Sequence, residues 1–256
     1  MIQAGTRLDD RYVLEDVVGR GRLGEVWRAH DTTLGRVLAV KLTRPPLGDE
    51  PGFRQRFRAY ARAVAELRDP NIVDVYDIGH VGGHTYLVIE FVPGESLHAI
   101  LRRVGPLAPP EAMKLIAQAA RALHVAHGKG IVHGDVKTSN LLVRPDGQLL
   151  VSDLGLARII TVTSMAELEE LFPTNPVYIP PEQAKGWRPT PLSDIHALGV
   201  VAYECLTLTQ PFPGGNPLPP DIPEAVREVV MRALAHDPAA RWPSADAMRA
   251  ALLRCL

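Results

Sequence analysis

A change of sequence pattern near residue 93 constrains the fold of this chain more than any other feature. Residues 11–43 and 73–92 are rich in β-branched residues in partial alternation, the pattern of β-strands. Within the second segment, Gly82-Gly83 is the predicted hairpin turn. After Pro93-Gly94 the pattern becomes helical, as in residues 109–130, where proline and glutamate begin the segment and glycine ends it. A run of strands followed by a run of helices predicts an α+β chain of two lobes, with a cleft at the seam between them.

One helix is predicted inside the strand-rich part, over residues 51–70. Asp69-Pro70 ends its pattern, and its apolar residues recur at helical spacing: Phe53, Phe57, Tyr60, Ala61, Val64 and Leu67. Residues 211–223 are so rich in proline and glycine that we predict a loop there.

The charge balance argues against two classes of partner. The 256 residues include 28 basic and 29 acidic side chains, for a net charge of −1, which gives no electrostatic reason to expect nucleic acid or an anionic membrane. We find no secretory signal and no apolar stretch of membrane-spanning length. Cys205 and Cys255 lack metal-ligand spacing and suit a reducing compartment. We therefore expect a cytoplasmic chain, which leaves room for a membrane anchor outside it.

Three glycines form a G-x-G-x-x-G pattern at Gly19, Gly21 and Gly24. A dinucleotide-binding fold would need a helix after the last glycine, but residues 25–31 alternate like a strand. The glycines therefore connect two strands. They form either an ordinary turn or a flap whose backbone N–H groups cover phosphates.

Lys41 lies on the next predicted strand, flanked by apolar residues. Strand lysines are usually surface residues. This one follows the glycine hairpin closely enough to reach back under it, where an ammonium group suits a phosphate.

A second polar set comprises Asp135, Lys137, Asn140 and Asp153, on either side of a predicted hairpin turn at residues 145–147. One carboxylate and an amide oxygen suit Mg²⁺, which takes few protein ligands and keeps several waters. The other carboxylate could accept a proton from an attacking hydroxyl. Each residue alone could instead be a turn or cap residue.

Taken together and in order, these motifs resemble the catalytic domain of bacterial serine/threonine protein kinases of the Hanks type, over residues 12–253. The resemblance implies one kinase domain at 1–256, with a β-rich N-lobe at 1–92 and a helical C-lobe at 93–256. It implies ATP and Mg²⁺ as cofactors, and a protein substrate or signalling partner. It assigns Asp135 and Lys137 to catalysis and Asn140 and Asp153 to the metal. The nucleotide would contact Gly19, Gly21, Gly24, Val26, Ala39, Lys41, Glu90, Val92 and Leu142.

The same resemblance implies two supporting contacts. Asp194 should brace the loop that carries Asp135, and Arg241 should pair with Glu182. The set of Pro181-Glu182, Asp194 and Arg241 is typical of protein kinases, which disfavours a small-molecule phosphotransferase. His124, His127 and His133 lie close in sequence, but no cysteine or acid completes a zinc set.

The chain departs from the family pattern in its central features. Tyr60 stands where relatives carry the glutamate that pairs with the strand lysine, and Gly134 stands where most carry an arginine that binds an activation-loop phosphate. Thr174-Asn175 replaces a glycine-threonine pair, and the loop at 211–223 replaces a substrate-side helix. Residues 164–172 have the pattern of an amphipathic helix, which either holds an inactive arrangement or lies on the surface.

Two functions remain open at this point. The first is an atypical or weak serine/threonine kinase, favoured because all four catalytic positions are present. The second is a pseudokinase that binds nucleotide or a partner and acts as a signalling scaffold, favoured by Tyr60 and the shortened loop.

Overall fold

The computed structural model describes residues 2–21, 24–44, 51–156, 178–211 and 217–256. These residues form two compact units. The first contains the described residues up to Arg68 together with Val73–Val92. The second contains Asp69–Ile72 and the described residues from Pro93 onward.

The first unit is built on a six-stranded antiparallel sheet with the strand order β1-β2-β3-β4-β6-β5. The hairpin turn between β5 and β6 is Gly82-Gly83, where both residues have positive φ, as the sequence pattern predicts. The strands are β1 Arg7–Leu8, β2 Tyr12–Arg20, β3 Gly24–Asp31, β4 Arg36–Thr43, β5 Val75–Val81 and β6 His84–Ile89.

One face of this sheet forms a buried apolar core. Alternate residues of neighbouring strands meet there, because side chains alternate between the two faces of a strand. The core includes Leu14, Trp27, Ala29, Leu38, Val40, Leu42, Tyr86 and Val88. Residues between these positions, including Val26 and Lys41, belong to the opposite face.

A single described helix, α1 at Pro51–Ala65, accompanies the sheet. It buries Phe53, Phe57, Ala61 and Val64, as the predicted spacing requires. It ends earlier than the predicted residue 70, because the amide of Leu67 bonds to the carbonyl of Val64 at 3.0 Å, three residues back, and tightens the chain into a turn.

The second unit is mainly helical. Its helices are α2 Leu97–Val104, α3 Pro109–Gly128, α4 Pro181–Ala184, α5 Pro191–Thr207, α6 Glu224–Ala233 and α7 Ala245–Leu253. Single 3₁₀ turns lie at Thr138–Asn140 and Pro238–Ala240. A small three-stranded sheet pairs β7 Glu95–Ser96 with β8 Leu141–Val143, and β8 with β9 Leu149–Val151.

Helix α5 is the buried centre of the second unit. Thr190 and Ser193 form a reciprocal capping box at its N-terminus, and Pro191 occupies the first turn. The helix approaches α6 so closely that a Cβ on Gly199 would lie 2.8 Å from the Cβ of Ala233. A side chain at Gly199 would therefore push the two helices apart.

The sequence break at Pro93-Gly94 has a steric basis. A Cβ on Gly94 would lie 2.1 Å from the carbonyl oxygen of Val143, so no side chain fits where the chain passes β8. Close packing therefore requires glycine at residue 94, where the sequence pattern changes from strand to helix.

Some sequence predictions fall outside the described residues. The amphipathic segment at 164–172, Thr174-Asn175 and part of the predicted loop at 211–223 are among them. In the described part of that loop, residues 217–223 form neither helix nor strand. Every helix among the described residues is too short or too polar to cross a membrane.

Candidate functional site

The glycine hairpin connects β2 and β3. Gly19 lies near the end of β2 rather than in the turn, opposite Val26. Gly21 and Gly24 close the turn through N–H to carbonyl bonds of 2.9 and 3.3 Å. A Cβ on Gly24 would lie 1.8 Å from the carbonyl oxygen of Leu42, so only glycine fits there.

Strand register places four of the nucleotide candidates on one face of the sheet. Val26 is the cross-strand partner of both Gly19 and Lys41. Ala39 lies two residues before Lys41 on β4 and therefore shares its face. The apolar core occupies the other face of the sheet.

Residues 90–92, which the kinase resemblance assigns as the hinge after the N-lobe, follow β6. Glu90, Phe91 and Val92 lie outside helices and strands and are half-buried. The amide of Glu90 donates to the carbonyl of Asp74 at 2.9 Å, which fixes where the hinge leaves the sheet.

In the second unit, the side chains of Lys137 and Asn140 both bind Asp135. The ammonium of Lys137 lies 2.7 Å from its carboxylate. The side-chain nitrogen of Asn140 donates to the backbone carbonyl of Asp135 at 2.8 Å and to its carboxylate at 3.3 Å. These bonds use the nitrogen of the Asn140 amide and leave its oxygen as the atom that can ligate a cation.

Hydrogen bonds of the preceding residue connect Asp153 to the segment that carries Asp135 and Asn140. Ser152, the preceding residue, donates its amide and its hydroxyl to the carbonyl of Asn140 at 2.9 and 3.0 Å. Asp153 itself has φ 61°, a left-handed conformation that costs a non-glycine residue on the order of 1 kcal/mol. Backbone strain of this kind persists where surrounding contacts enforce it and clusters at functional sites.

Leu142 lies in the sequence between Asn140 and Asp153. It is the central residue of β8, paired with Ser96 of β7 and with Leu150 of β9, and it is half-buried. The hairpin therefore carries an apolar candidate beside the polar ones.

Asp194, at the start of α5, braces the loop that carries Asp135. Its carboxylate accepts bonds of 2.8 Å from the backbone amides of both His133 and Gly134, and its side chain is almost fully buried. This confirms the brace expected from the sequence. The ring of His127 also lies 2.8 Å from this carboxylate, a contact that the sequence did not reveal because His127 was considered only as a metal ligand.

Gly134 has a conformational role that its sequence position alone does not show. Its φ is 74°, in the left-handed region that glycine adopts without steric cost. Glycine at this position therefore avoids the steric cost that arginine would have at this φ.

Glu182 and Arg241 form the buried ion pair expected from the sequence. Two bonds of 2.8 and 2.7 Å join them, and Ser193 donates to the same carboxylate at 2.9 Å. Burial by itself raises the pKa of Glu182, but the bonds from Arg241 and Ser193 outweigh it and lower the pKa to about 2.

Tyr178 and Glu204 make a contact that the sequence analysis missed. The Tyr178 hydroxyl donates to the Glu204 carboxylate and lies 3.4 Å from the hydroxyl of Thr138, in the 3₁₀ turn that also contains Asn140. Burial raises the pKa of both Tyr178 and Glu204, and their mutual hydrogen bond further raises that of Tyr178. In the sequence, the only sign of this contact is that residues 178 and 204 are both polar.

The sequence matches the protein kinase domain over residues 12–253, which is nearly the whole chain, and the chain belongs to the protein kinase family. Its fold is the protein kinase fold, with an antiparallel β-sheet in the first unit and a helical second unit. The kinase domain of Mycobacterium tuberculosis PknI, in its C20A_R136N double mutant, matches it with a TM-score of 0.82 at 24% identity, covering 100% of this chain and 99% of that one.

Among sequence relatives, the chain is similar to serine/threonine-protein kinase PknA of Mycobacterium tuberculosis, at 38% identity over 271 residues. That match covers 97% of this chain and 63% of PknA. It is also similar to the probable serine/threonine-protein kinase SCO3848 of Streptomyces coelicolor, at 36% identity, covering 98% of this chain and 40% of the relative. The chain thus spans less than two thirds of the length of these relatives.

Proposed function

We propose that the chain is a serine/threonine protein kinase, a transferase that moves a phosphoryl group from ATP to hydroxyl groups of proteins. Residues 1–256 form one kinase domain in this proposal, with an N-lobe at 1–92 and a C-lobe at 93–256. The observation that carries it is the set of contacts around Asp135, made by Lys137 at 2.7 Å and by the amide of Asn140 at 2.8 and 3.3 Å.

Asp135 would accept the proton of the substrate hydroxyl. Its side chain is 29% exposed, so a hydroxyl can reach it, and its bonds to Asn140 hold it in one orientation. Lys137 is 26% exposed beside it and would stabilise negative charge on the transferred group. A lysine two positions after the aspartate fits serine and threonine substrates better than tyrosine, as the family resemblance implies.

The residues present fit a magnesium ion. Asn140 offers an amide oxygen and Asp153 a carboxylate, which are the hard oxygen ligands that Mg²⁺ prefers. When bound, the ion would neutralise charge on the phosphates of ATP. The strained φ of Asp153 and the two bonds from Ser152 to the Asn140 carbonyl support a ligating role for this pair.

Eight of the nine nucleotide candidates belong to the first unit, and the ninth, Leu142, belongs to the second. Lys41 would contact phosphates, covered by the hairpin of Gly19, Gly21 and Gly24. The remaining candidates would contact the adenine: Val26, Ala39 and Leu142 at its faces, and Glu90 and Val92 at its edge. Register supports this grouping, because Gly19, Val26, Ala39 and Lys41 share one face of the sheet.

Tyr60 favours weak activity. Relatives carry a glutamate at this position to orient the strand lysine, and α1 contains no acidic residue at all. The Tyr60 ring packs instead against Phe57, with centroids 6.0 Å apart. Lys41 would then be oriented less reproducibly, which lowers the rate of phosphoryl transfer rather than abolishing it.

A second candidate follows from the same residue. If the missing glutamate abolishes transfer, the chain is a pseudokinase that binds nucleotide or a signalling partner and acts through its shape. All four catalytic positions remain present, which favours the enzyme.

Radiolabelled ATP with a generic basic protein separates the two. We expect wild-type chain to label the protein, Asp135→Asn to abolish labelling, and Tyr60→Glu to increase it several-fold. Labelling that survives Asp135→Asn contradicts the proposed base. If only the Tyr60→Glu variant labels the protein, the native chain is a pseudokinase that acts as a scaffold. Cation binding is tested independently by measuring thermal unfolding in the presence of ATP, with and without Mg²⁺. The Mg²⁺-dependent shift of the unfolding temperature is compared between the wild-type chain and Asp153→Asn.

A further inference from the structure

Helix α1 carries an unusual concentration of positive charge. The fifteen residues of Pro51–Ala65 include four arginines and no acidic residue, in a chain whose net charge is −1. Three of them, Arg54, Arg58 and Arg62, recur every fourth residue and therefore lie along one side of the helix. They span about 12 Å of its length and about 80° of its circumference. We call this set the arginine stripe.

The arginine stripe is largely exposed and has no acidic partner among the residues that the structure describes. Arg58 and Arg62 are exposed and Arg54 is half-buried. Over the residues that the structure describes, no ion pair involves any of the three. Arg54 instead contacts the ring of His80 at 3.3 Å.

These charges are unfavourable for the helix by itself. Arginines four residues apart repel one another, and the first turn of α1 has no acidic residue to complement the helix dipole. An anionic partner would offset both effects. A charge pattern that is unfavourable for its own helix is expected where the residues serve binding.

The shape of the surface suits a chain segment. A groove of about 630 Å³ is lined by the arginine stripe together with Gln55, Ala59 and His80. Gln55 and Ala59 are exposed and small or polar. None of the exposed large apolar residues in the described part of the chain belongs to α1, so the groove lacks the apolar anchors of a membrane-binding helix.

We propose that the arginine stripe is a docking surface for an acidic segment of a partner protein. The three arginines are spread along the helix at positions 54, 58 and 62 rather than gathered around one point, which fits a row of carboxylates better than a single phosphate. Glutamates at every fourth position of a helical segment repeat at about 6 Å, the same interval as the arginines. The docking surface lies wholly within the first unit and does not require phosphoryl transfer.

The test uses the full chain and a short fluorescent helical peptide with glutamate at every fourth position. The control peptide has glutamine at those positions. We expect the glutamate peptide to bind with an affinity that falls as NaCl is raised, and the glutamine peptide to bind at least tenfold more weakly. An affinity that is independent of salt, or equal for both peptides, overturns the proposal.

Two double variants locate the binding. Arg58→Gln with Arg62→Gln should weaken binding of the glutamate peptide about tenfold, because two exposed ion pairs are lost. Arg102→Gln with Arg254→Gln removes the same charge from exposed positions in the second unit and should change the affinity less than twofold. Equal losses in both variants, at unchanged thermal midpoints, overturn the assignment to α1.

Competing ligands decide the class of partner. Single-stranded RNA and vesicles containing phosphatidylserine are added to the bound glutamate peptide. Displacement by either at lower concentration than unlabelled glutamate peptide would assign the stripe to nucleic acid or membrane and overturn the proposal. Weaker displacement by both supports it.

Discussion

Arg241 forms two hydrogen bonds with the carboxylate of Glu182, at 2.8 and 2.7 Å, in the interior of the second unit. The guanidinium is almost fully buried and also donates to the backbone carbonyls of Ala235 and Leu192 at 2.8 and 2.9 Å. Removing it would leave the buried Glu182 carboxylate, and the carbonyls of Ala235 and Leu192, without these donors. The pair therefore ties α4 to the segment that follows α6.

Arg241→Met should lower the free energy of unfolding by about 3–5 kcal/mol, the usual cost of leaving one partner of a buried ion pair. Urea unfolding measures the loss. Arg249→Gln is the matched control, because Arg249 forms an exposed pair with Asp246 at 3.0 Å and should cost about 0.5 kcal/mol or less. Similar losses for the two variants would show that the buried pair is not stabilising.

His196 should make stability depend on pH. Burial, followed by the positive charge of Arg241, lowers its pKa from 6.5 to about 4. Because the folded-state pKa is the lower one, the unfolded chain binds more protons between pH 6.5 and 4, and stability falls as the pH is lowered through that window.

His196→Gln should flatten the pH dependence of the unfolding free energy by up to about 1.4 kcal/mol per pH unit within this window. Urea unfolding at several pH values provides the measurement. His124→Gln, at an exposed position on α3, is the matched control. A slope that His196→Gln leaves unchanged contradicts the burial of a neutral ring.

Gly134→Ala should cost about 1 kcal/mol, because a Cβ is disfavoured at φ 74°. The comparison is Gly128→Ala, near the end of α3, where a Cβ would have no neighbour within 4 Å. That variant should be neutral or stabilising by up to about 1 kcal/mol. Thermal unfolding of both variants checks the difference, and a neutral Gly134→Ala would refute the conformational role of this glycine.

Gly24→Ala should distort the glycine hairpin, because its Cβ would lie 1.8 Å from the Leu42 carbonyl oxygen. We expect a loss of about 1–3 kcal/mol in stability and faster amide exchange in β2 and β3. A Cβ on Gly21 would have no neighbour within 4 Å, so Gly21→Ala should leave both quantities nearly unchanged. Hydrogen exchange read by mass spectrometry distinguishes the two, and similar protection in both variants would count against the steric argument.

The sequence was sufficient for features that depend on local pattern. Alternation and the Gly82-Gly83 turn predict β5 and β6, and apolar spacing predicts the buried side of α1. The contacts of Asp194 and of Arg241 are also confirmed, because they follow from ordered motifs of the family.

Features that depend on the path of the backbone were beyond the sequence. The left-handed φ of Gly134 and the contact of His127 with Asp194 arise only when α3, α5 and the loop between α3 and β8 come together. Likewise, α1 ends at Ala65 rather than residue 70, because a tight turn competes with helical spacing. The assigned roles of Asp135, Lys41 and the other site residues stay predictions. The labelling and thermal-unfolding experiments above test those of Asp135 and Asp153.

Asn140 connects the two residues to which the proposed function gives different tasks. Its side chain holds Asp135, and its carbonyl receives both bonds from Ser152, immediately before Asp153. Under the proposed function, the proton acceptor and the cation ligands would therefore be mechanically coupled. A substitution at Asp153 would then alter the affinity for the cation, whereas a substitution at Asn140 would also shift the alignment of the attacking hydroxyl.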